Sequence, residues 1–162
     1  MLETPKARQQ WQSFHKLAPQ EVAALLAMSK AVEASGLERE LLELVKLRSS
    51  QLNGCAFCLQ MHATDARKMG VSEEKMQLLA AWREAPVYSS RERAAIAWTE
   101  SLTLVASHHG VSDEVYDDAV SVFSDAELAH LTSAVLLINS WNRLAIAYRF
   151  TPAVAAASAH AA

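Results

Sequence analysis

Residues 41–70 read LLELVKLRSSQLNGCAFCLQMHATDARKMG, and this stretch decides how the rest of the chain is interpreted. Apolar residues recur every three or four positions across residues 41–52, which predicts an amphipathic helix. Asn53-Gly54 can adopt a positive φ and end that helix, so a second helix can occupy residues 55–69. The two helices would then pack against each other as an antiparallel hairpin.

Helical periodicity extends from this stretch to most of the chain. Apolar residues recur at three- and four-residue spacing between four Gly and four Pro, a pattern typical of helices rather than strands. With 162 residues and 51% hydrophobic content, the chain suits one core. We therefore expect an all-α fold, a single-domain helical bundle of about six to seven helices. The expected helices cover residues 19–35, 41–52, 55–69, 73–82, 90–107, 113–122 and 125–150.

Local signals mark where several of these helices begin. Pro19 suits the first turn of a helix. Ser89 and Ser124 are each followed by a glutamate three positions later, which is the capping-box pattern. We expect the helical domain to span residues 1–152 and an Ala-rich tail, residues 153–162, to be mobile.

Charge and hydropathy argue against two classes of partner. The formal net charge is −3, and no block of Lys or Arg could neutralise a run of phosphates, so nucleic acid is not expected. The most apolar segment, residues 134–150, contains two asparagines and two arginines that a bilayer would tolerate poorly. The N-terminus turns polar at once and shows no signal peptide. We expect a cytoplasmic protein without a membrane partner.

The two cysteines of the chain lie in the tetrapeptide Cys55-Ala-Phe-Cys58. A disulfide between them would close too short a loop to stabilise the fold much through the unfolded state. A cysteine at a helix N-terminus lies near free amides and the positive end of the helix dipole, which favour the thiolate. His62 follows at helical spacing, so one helix face can carry all three side chains. The pattern indicates thiol redox chemistry beside an acid/base group.

Glu43 belongs to the preceding helix and allows two interpretations. It can be a solvated carboxylate paired with Lys46, which is the simpler one. If the two helices pack antiparallel, its carboxylate can instead lie across from His62, orient the imidazole and accept its proton.

Glu43, Cys55, Cys58 and His62 together match the Glu-x11-Cys-x2-Cys-x3-His pattern of the alkylhydroperoxidase AhpD-like proteins, within the carboxymuconolactone decarboxylase superfamily. Residues 138–143, INSWNR, also resemble members of this family. The resemblance implies an all-helical subunit that assembles into a homo-oligomer, a trimer or hexamer. It also implies a peroxidase that reduces organic hydroperoxides or hydrogen peroxide and needs no metal or other cofactor.

The resemblance further assigns a role to each motif residue. Cys58 would attack the peroxide and become a sulfenic acid, and Cys55 would resolve it to a disulfide. Glu43 and His62 would form the proton relay that activates Cys58. The reductant would be a dithiol carrier, such as a lipoyl-bearing protein or a thioredoxin-like partner.

This chain departs from the family pattern at Phe57, because well-studied members have a histidine immediately before the second cysteine. The change replaces a proton-transfer or hydrogen-bonding group by an apolar ring, which can lower the activity or select a different substrate. The order of attack also stays open between the two cysteines, since the thiol nearer the helix N-terminus is ordinarily the better thiolate.

Other interpretations of the motif remain open. A redox-sensing or scaffold protein would form the same reversible disulfide without turning over peroxide. A carboxymuconolactone decarboxylase-like enzyme is a further alternative, although ring-opening lactone chemistry does not require a vicinal pair of thiols. A zinc site formed by Cys55, Cys58 and His62 would lack a fourth ligand at a standard spacing, so we expect no metal.

Several further residues are interpreted as structural. Trp141 is expected to fill core volume, and Asn142 and Arg143 to form hydrogen bonds between helices or subunits. Met61 and Met69 are expected to line the wall near the thiols. The remaining histidines show no metal-ligand spacing and are expected at the surface or at helix ends: His15, His108, His109, His130 and His160.

Overall fold

The computed structural model describes residues 6–153, without the side chain of His108. This range forms nine α-helices, a short 3₁₀ helix at Leu79–Ala81 and no β-strand, so the all-α prediction is confirmed. None of the helices in this range is both long enough and apolar enough to cross a bilayer. The predicted mobile tail lies outside the described residues from residue 154 onward. The helices are α1 (Trp11–Leu17), α2 (Pro19–Glu33), α3 (Arg39–Asn53), α4 (Ala56–Lys68), α5 (Glu73–Leu78), α6 (Ser90–Thr103), α7 (Val105–His108), α8 (Asp113–Val122) and α9 (Asp125–Tyr148).

The helix count exceeds the predicted six to seven for two reasons. The sequence does not predict α1, because its N-cap residue, Gln10, provides no capping hydrogen bond. Tertiary contacts hold this helix instead, and the ring of Trp11 lies 5.5 Å from that of Trp141. The single helix predicted over residues 90–107 is divided into α6 and α7 at Leu104, whose backbone leaves the helical region at φ −102° and ψ 19°.

Helix α3 is central and packs against α4, α6 and α9. One of its sides contributes Leu41 and Val45 to a core shared with α6 and α9. Another side contributes Leu44 and Leu47 to a core shared with α4 and α6. Burying an aliphatic side chain of this kind stabilises the fold by about 1.5–3 kcal/mol relative to leaving it exposed. Because α3 is enclosed on several sides, Glu43 on this helix is buried as well, with 2% of its surface exposed.

The turn between α3 and α4 sets the position of the cysteines. Gly54 follows α3 with φ +68°, a left-handed conformation in which a Cβ would be strained, so the predicted helix end is confirmed. The N–H of Cys55 donates to the carbonyl of Ser50 at 3.0 Å. Cys55 has an extended backbone and is the N-cap residue of α4. The first cysteine therefore lies at the N-terminus of α4 rather than inside its first turn.

Capping boxes begin α6 and α9, as predicted. Ser89 accepts from the N–H of Glu92, and the Glu92 carboxylate accepts from the N–H of Ser89. Ser124 and Glu127 repeat these contacts at α9, where Arg91 also donates to the Glu127 carboxylate. The backbone hydrogen bond from Ser124, followed by the contact with Arg91, lowers the pKa of Glu127 from 4.5 to about 2.

Acid is therefore expected to weaken the start of α9. A carboxyl whose pKa is lower in the folded than in the unfolded chain contributes stability above the unfolded value of 4.5, and that stability is lost as the pH falls toward 2. The free energy of unfolding, measured with urea, should fall less for Glu127→Gln than for the native protein as the pH is lowered from about 6 to about 2.5. Glu21→Gln, at an exposed position of α2, is the control. If the free energy of unfolding depends on pH with the same slope in the native protein and in Glu127→Gln, the prediction is wrong.

Candidate active site

The two cysteines form a disulfide across the N-terminus of α4. Cys55 is the N-cap residue and Cys58 is the third residue of the helix, with Cα atoms 5.4 Å apart. The N–H of Cys58 donates to Sγ of Cys55 at 3.3 Å. Each cysteine is only 1% exposed. The dithiol is therefore buried where the helix terminus favours a thiolate once the disulfide is reduced.

A buried glutamate connects α3 to α4 beside this disulfide. Oε2 of Glu43 lies 2.9 Å from Nδ1 of His62, and Oε1 of Glu43 accepts from Nζ of Lys46 at 2.7 Å. The prediction of a solvated Glu43 is wrong, because α3 is enclosed and the side chain is buried. The predicted pairing with Lys46 is present, and the carboxylate also faces His62, as the antiparallel packing of the two helices predicts. His62 is 9% exposed, so the Glu43–His62 pair is largely removed from solvent.

These contacts determine where the protons of the pair lie. Burial raises the pKa of Glu43, but the hydrogen bond with His62 and the charge of Lys46 outweigh burial and lower that pKa below 4.5. Glu43 is therefore ionised near neutral pH and can only accept hydrogen bonds. The proton between the two side chains therefore lies on Nδ1 of His62, and Nε2 is the ring nitrogen that can accept a further proton.

A largely apolar cavity of about 600 Å³ reaches the dithiol from one side. Cys58, Glu43 and His62 are among the described residues that line it, whereas Cys55 is not. Cys58 and His62 are one helical turn apart on α4, so their side chains share a helix face. A ligand that enters the cavity would therefore meet Cys58 before Cys55.

Aromatic residues from both ends of the chain cover the dithiol. Phe150 packs with the two cysteines, and the rings of Trp11 and Phe57 meet it edge-on with centroids 6.3 and 5.6 Å away. Phe57, at the position of the family histidine, therefore contributes an apolar wall rather than a proton-transfer group. Met61 and Met69 also line the cavity, as predicted.

A buried polar cluster holds the α3–α4 turn from behind. Nδ2 of Asn53 donates to Oδ1 of Asn142 at 2.9 Å and lies 3.0 Å from Oδ1 of Asn139. Nδ2 of Asn142 donates to Oγ of Ser50 at 3.0 Å, and Nδ2 of Asn139 to Oγ of Ser49 at 3.1 Å. In the described part of the chain, every buried side-chain nitrogen and oxygen has a hydrogen-bond partner. The predicted interhelix role of Asn142 is confirmed, and the cluster ties the cysteine-bearing turn to α9.

Replacing Asn142 by alanine is expected to destabilise the protein by about 2–3 kcal/mol, because Asn53 and Ser50 would lose buried hydrogen-bond partners. Urea unfolding followed by circular dichroism measures the change. Ser140→Ala, at an exposed position of the same helix, is the control and should stay within about 0.5 kcal/mol of the native protein. If both variants lose equal stability, the buried cluster does not hold the turn.

The structure brings together all four residues of the predicted site, namely Glu43, Cys55, Cys58 and His62. Their catalytic roles stay predictions. The sequence does not reveal that Lys46 and His62 contact the same carboxylate. A lysine three positions after a glutamate also occurs on solvated helix faces, so the spacing alone does not indicate a buried contact. Trp141 lines the cavity in addition to filling space beside the core.

The remaining histidines take no part in this arrangement where the structure describes them. His15, His109 and His130 are exposed, as predicted. The side chain of His108 and the whole of His160 lie outside the described part. Within the described part, His, Cys, Asp and Glu side chains form no group of three or more that could hold a metal ion.

The sequence matches one protein family over about half of its length and a bacterial relative over most of it. The model of the carboxymuconolactone decarboxylase family matches residues 19–101, about half of the chain. The uncharacterized protein YdfG of Bacillus subtilis is 40% identical over 135 residues, which cover 83% of this chain and 91% of that protein.

Solved structures extend the similarity to the fold. A protein of unknown function from Agrobacterium tumefaciens, suggested to be the antioxidant defence protein AhpD, superposes with a TM-score of 0.86 and 37% identity over 93% of this chain and 100% of its own. The apo debrominase Bmp8 shares the fold alone, with a TM-score of 0.73 and 19% identity over 85% of this chain and 73% of its own. From the family match, the bacterial relative and the AhpD-like fold, we conclude that the chain belongs to the carboxymuconolactone decarboxylase family as an AhpD-like member.

Proposed function

We propose that this protein is a thiol-dependent peroxidase that reduces organic hydroperoxides or hydrogen peroxide through a dithiol/disulfide cycle. The observation that carries the proposal is the cavity that has Cys58 and the hydrogen-bonded Glu43–His62 pair in its wall. A nucleophilic thiol, a base within reach and an apolar chamber for an R group are the parts that reduction of a hydroperoxide requires. Membership of the AhpD-like group supports the same reaction.

The proposed oxidative half of the cycle uses each motif residue in turn. His62 accepts the thiol proton of Cys58 at Nε2, and Glu43 stabilises the imidazolium that forms. The thiolate attacks the terminal oxygen of ROOH, the O–O bond breaks, and ROH leaves with the proton that His62 returns. Cys58 is thereby oxidised to a sulfenic acid. The thiol of Cys55 then attacks the Cys58 sulfur, which forms the disulfide and releases water.

The reductive half requires an external dithiol. One of its thiolates would attack the disulfide and form a mixed disulfide, and its second thiol would then displace the protein thiol and leave as an oxidised carrier. A lipoyl-bearing or thioredoxin-like protein has the two neighbouring thiols that this step needs. Such carriers are kept reduced in the cytoplasm, where we propose that the protein acts.

We also propose that the protein assembles into a homo-oligomer, a trimer or hexamer, as the family resemblance implies. Leu136 on α9 is 53% exposed and Leu26 on α2 is 42% exposed, and these two helices pack against each other. Another copy of the chain could bury this apolar surface. Light scattering after size-exclusion chromatography tests the proposal, and a mass near the 17.7 kDa of one chain would contradict it.

Steady-state turnover tests the peroxidase proposal directly. The native protein is mixed with dihydrolipoamide or a reduced thioredoxin and with many equivalents of tert-butyl hydroperoxide or hydrogen peroxide. The loss of peroxide is then followed over time. We expect continuous consumption that depends on the dithiol. Oxidation of the thiols that stops after one equivalent of peroxide would contradict the proposal.

A redox sensor is the second candidate, and the aromatic cover of the disulfide favours it. Phe150 packs on both cysteines and contacts Trp11, so rearrangement at the dithiol would be transmitted to α1 and to the segment that follows α9. A sensor oxidises once per stimulus, whereas a peroxidase consumes peroxide continuously. The turnover measurement therefore separates the two functions.

A further inference from the structure

We propose that Lys46 is a positioning residue that sets the pH range over which His62 can accept the proton of Cys58. This inference rests on the proposed peroxidase function, because it concerns the base of the same site. Lys46 lies on α3, one turn after Glu43, and is outside the four-residue motif.

The geometry makes the Glu43 carboxylate a bridge between the Lys46 ammonium and the His62 imidazole. One oxygen accepts from Lys46 at 2.7 Å and the other lies 2.9 Å from Nδ1 of His62. Lys46 therefore fixes the carboxylate plane from the side opposite His62. The Lys46 side chain is only 17% exposed and the Glu43 side chain 3% exposed, so solvent screens this charge pair weakly.

Lys46 also balances the charge of the site. With neutral His62, the charges of Glu43 and Lys46 cancel. When His62 takes up a proton, the group becomes cationic, and the repulsion by Lys46 opposes that step. Without Lys46, an uncompensated Glu43 carboxylate would stabilise the imidazolium. His62 would then hold a proton at higher pH, where it could no longer act as the base.

Other charged side chains that face the cavity are farther toward the surface. Glu33 on α2 and Arg39 at the start of α3 are exposed, and they line the cavity with opposite charges. Asp65 on α4 also lines it, but its carboxylate accepts from Lys68 at 2.9 Å and its side chain is 38% exposed. Lys46 is therefore the cation that controls the charge next to the buried carboxylate.

The titration of His62 in the reduced protein tests this role by nuclear magnetic resonance, with the His62 signal assigned as the one missing from His62→Ala. In Lys46→Met, which keeps an unbranched side chain but removes the charge, the titration midpoint should move upward by about one pH unit. Lys46→Arg, the charge-conserving control, should leave the midpoint within about 0.3 unit of the native protein. The pH below which alkylation of Cys58 by iodoacetamide becomes slow should move in the same direction as the midpoint. Lys46→Gln repeats the test if Lys46→Met does not fold.

The outcomes separate this inference from the function on which it rests. An unmoved midpoint in folded Lys46→Met or Lys46→Gln overturns the role of Lys46, even if the native protein turns over peroxide. A slower alkylation at every pH, without a shift of its pH limit, also overturns it, because this result indicates a purely structural contact. A shifted midpoint in the variant together with no turnover by the native protein supports the role of Lys46 and overturns the peroxidase proposal alone.

Discussion

Cys58→Ser is expected to lower kcat/KM for peroxide by about a thousandfold or more, the largest effect of any single substitution in the site. The cavity reaches Cys58, and His62 lies one helical turn away on the same wall. A serine hydroxyl at this position is far less acidic and less nucleophilic than a thiol, so the O–O bond would not be attacked. Peroxide consumption with a dithiol reductant measures the loss.

Cys55→Ser provides the matched control, because it removes the other sulfur and leaves the attacking thiol in place. We expect one equivalent of peroxide to be consumed at a near-native rate, after which Cys58 remains as a sulfenic acid. Mass spectrometry would detect the added oxygen atom, and a sulfenic-acid probe would label it. If Cys58→Ser instead retains the first oxidation and Cys55→Ser loses it, the roles of the two cysteines are reversed.

His62→Ala is expected to reduce kcat/KM by about 10²–10³-fold at neutral pH, the second largest effect, because it removes the base for the thiol proton. Glu43 would also lose its hydrogen-bond partner and remain as a buried carboxylate beside Lys46 alone. The pH dependence of the variant should approach that of an unassisted thiol, with the rate rising into the alkaline range.

His130→Ala is the control for this substitution. His130 is exposed on α9 and does not line the cavity. Its removal should change kcat/KM by less than about twofold. Full activity of folded His62→Ala at neutral pH would exclude a proton relay through this residue, and equal losses in both histidine variants would point to a general loss of stability.

The local parts of the fold and the site are predicted well from the sequence. Glycine at position 54 and the two capping serines act through neighbouring residues, so their effects on helix ends can be derived from sequence spacing. Cys58 and His62 share a face of α4 for the same reason, because one helical turn separates them. The antiparallel hairpin then explains why a carboxylate on α3 can face His62.

Contacts between distant parts of the chain could not be predicted in the same way. Asn53 bonds to Asn142 across 89 residues, and no local pattern specifies that pairing. Helix α1 lacks a capping side chain and is held by the packing of Trp11 against Trp141 and Phe150. The cavity is lined by residues of α1, α2, α3, α4 and α9, which lie far apart in the sequence, so its volume and its access to Cys58 follow only from the complete fold.

The aromatic cover formed by Trp11 and Phe150 has a consequence during protein synthesis. Phe150 follows Trp11 by 139 residues and Cys58 by 92 residues. A growing chain has Trp11 and both thiols before it has Phe150, so the cover cannot form until α9 and Phe150 have been made. The apolar wall beside the cysteines is therefore completed only after α9 has been made.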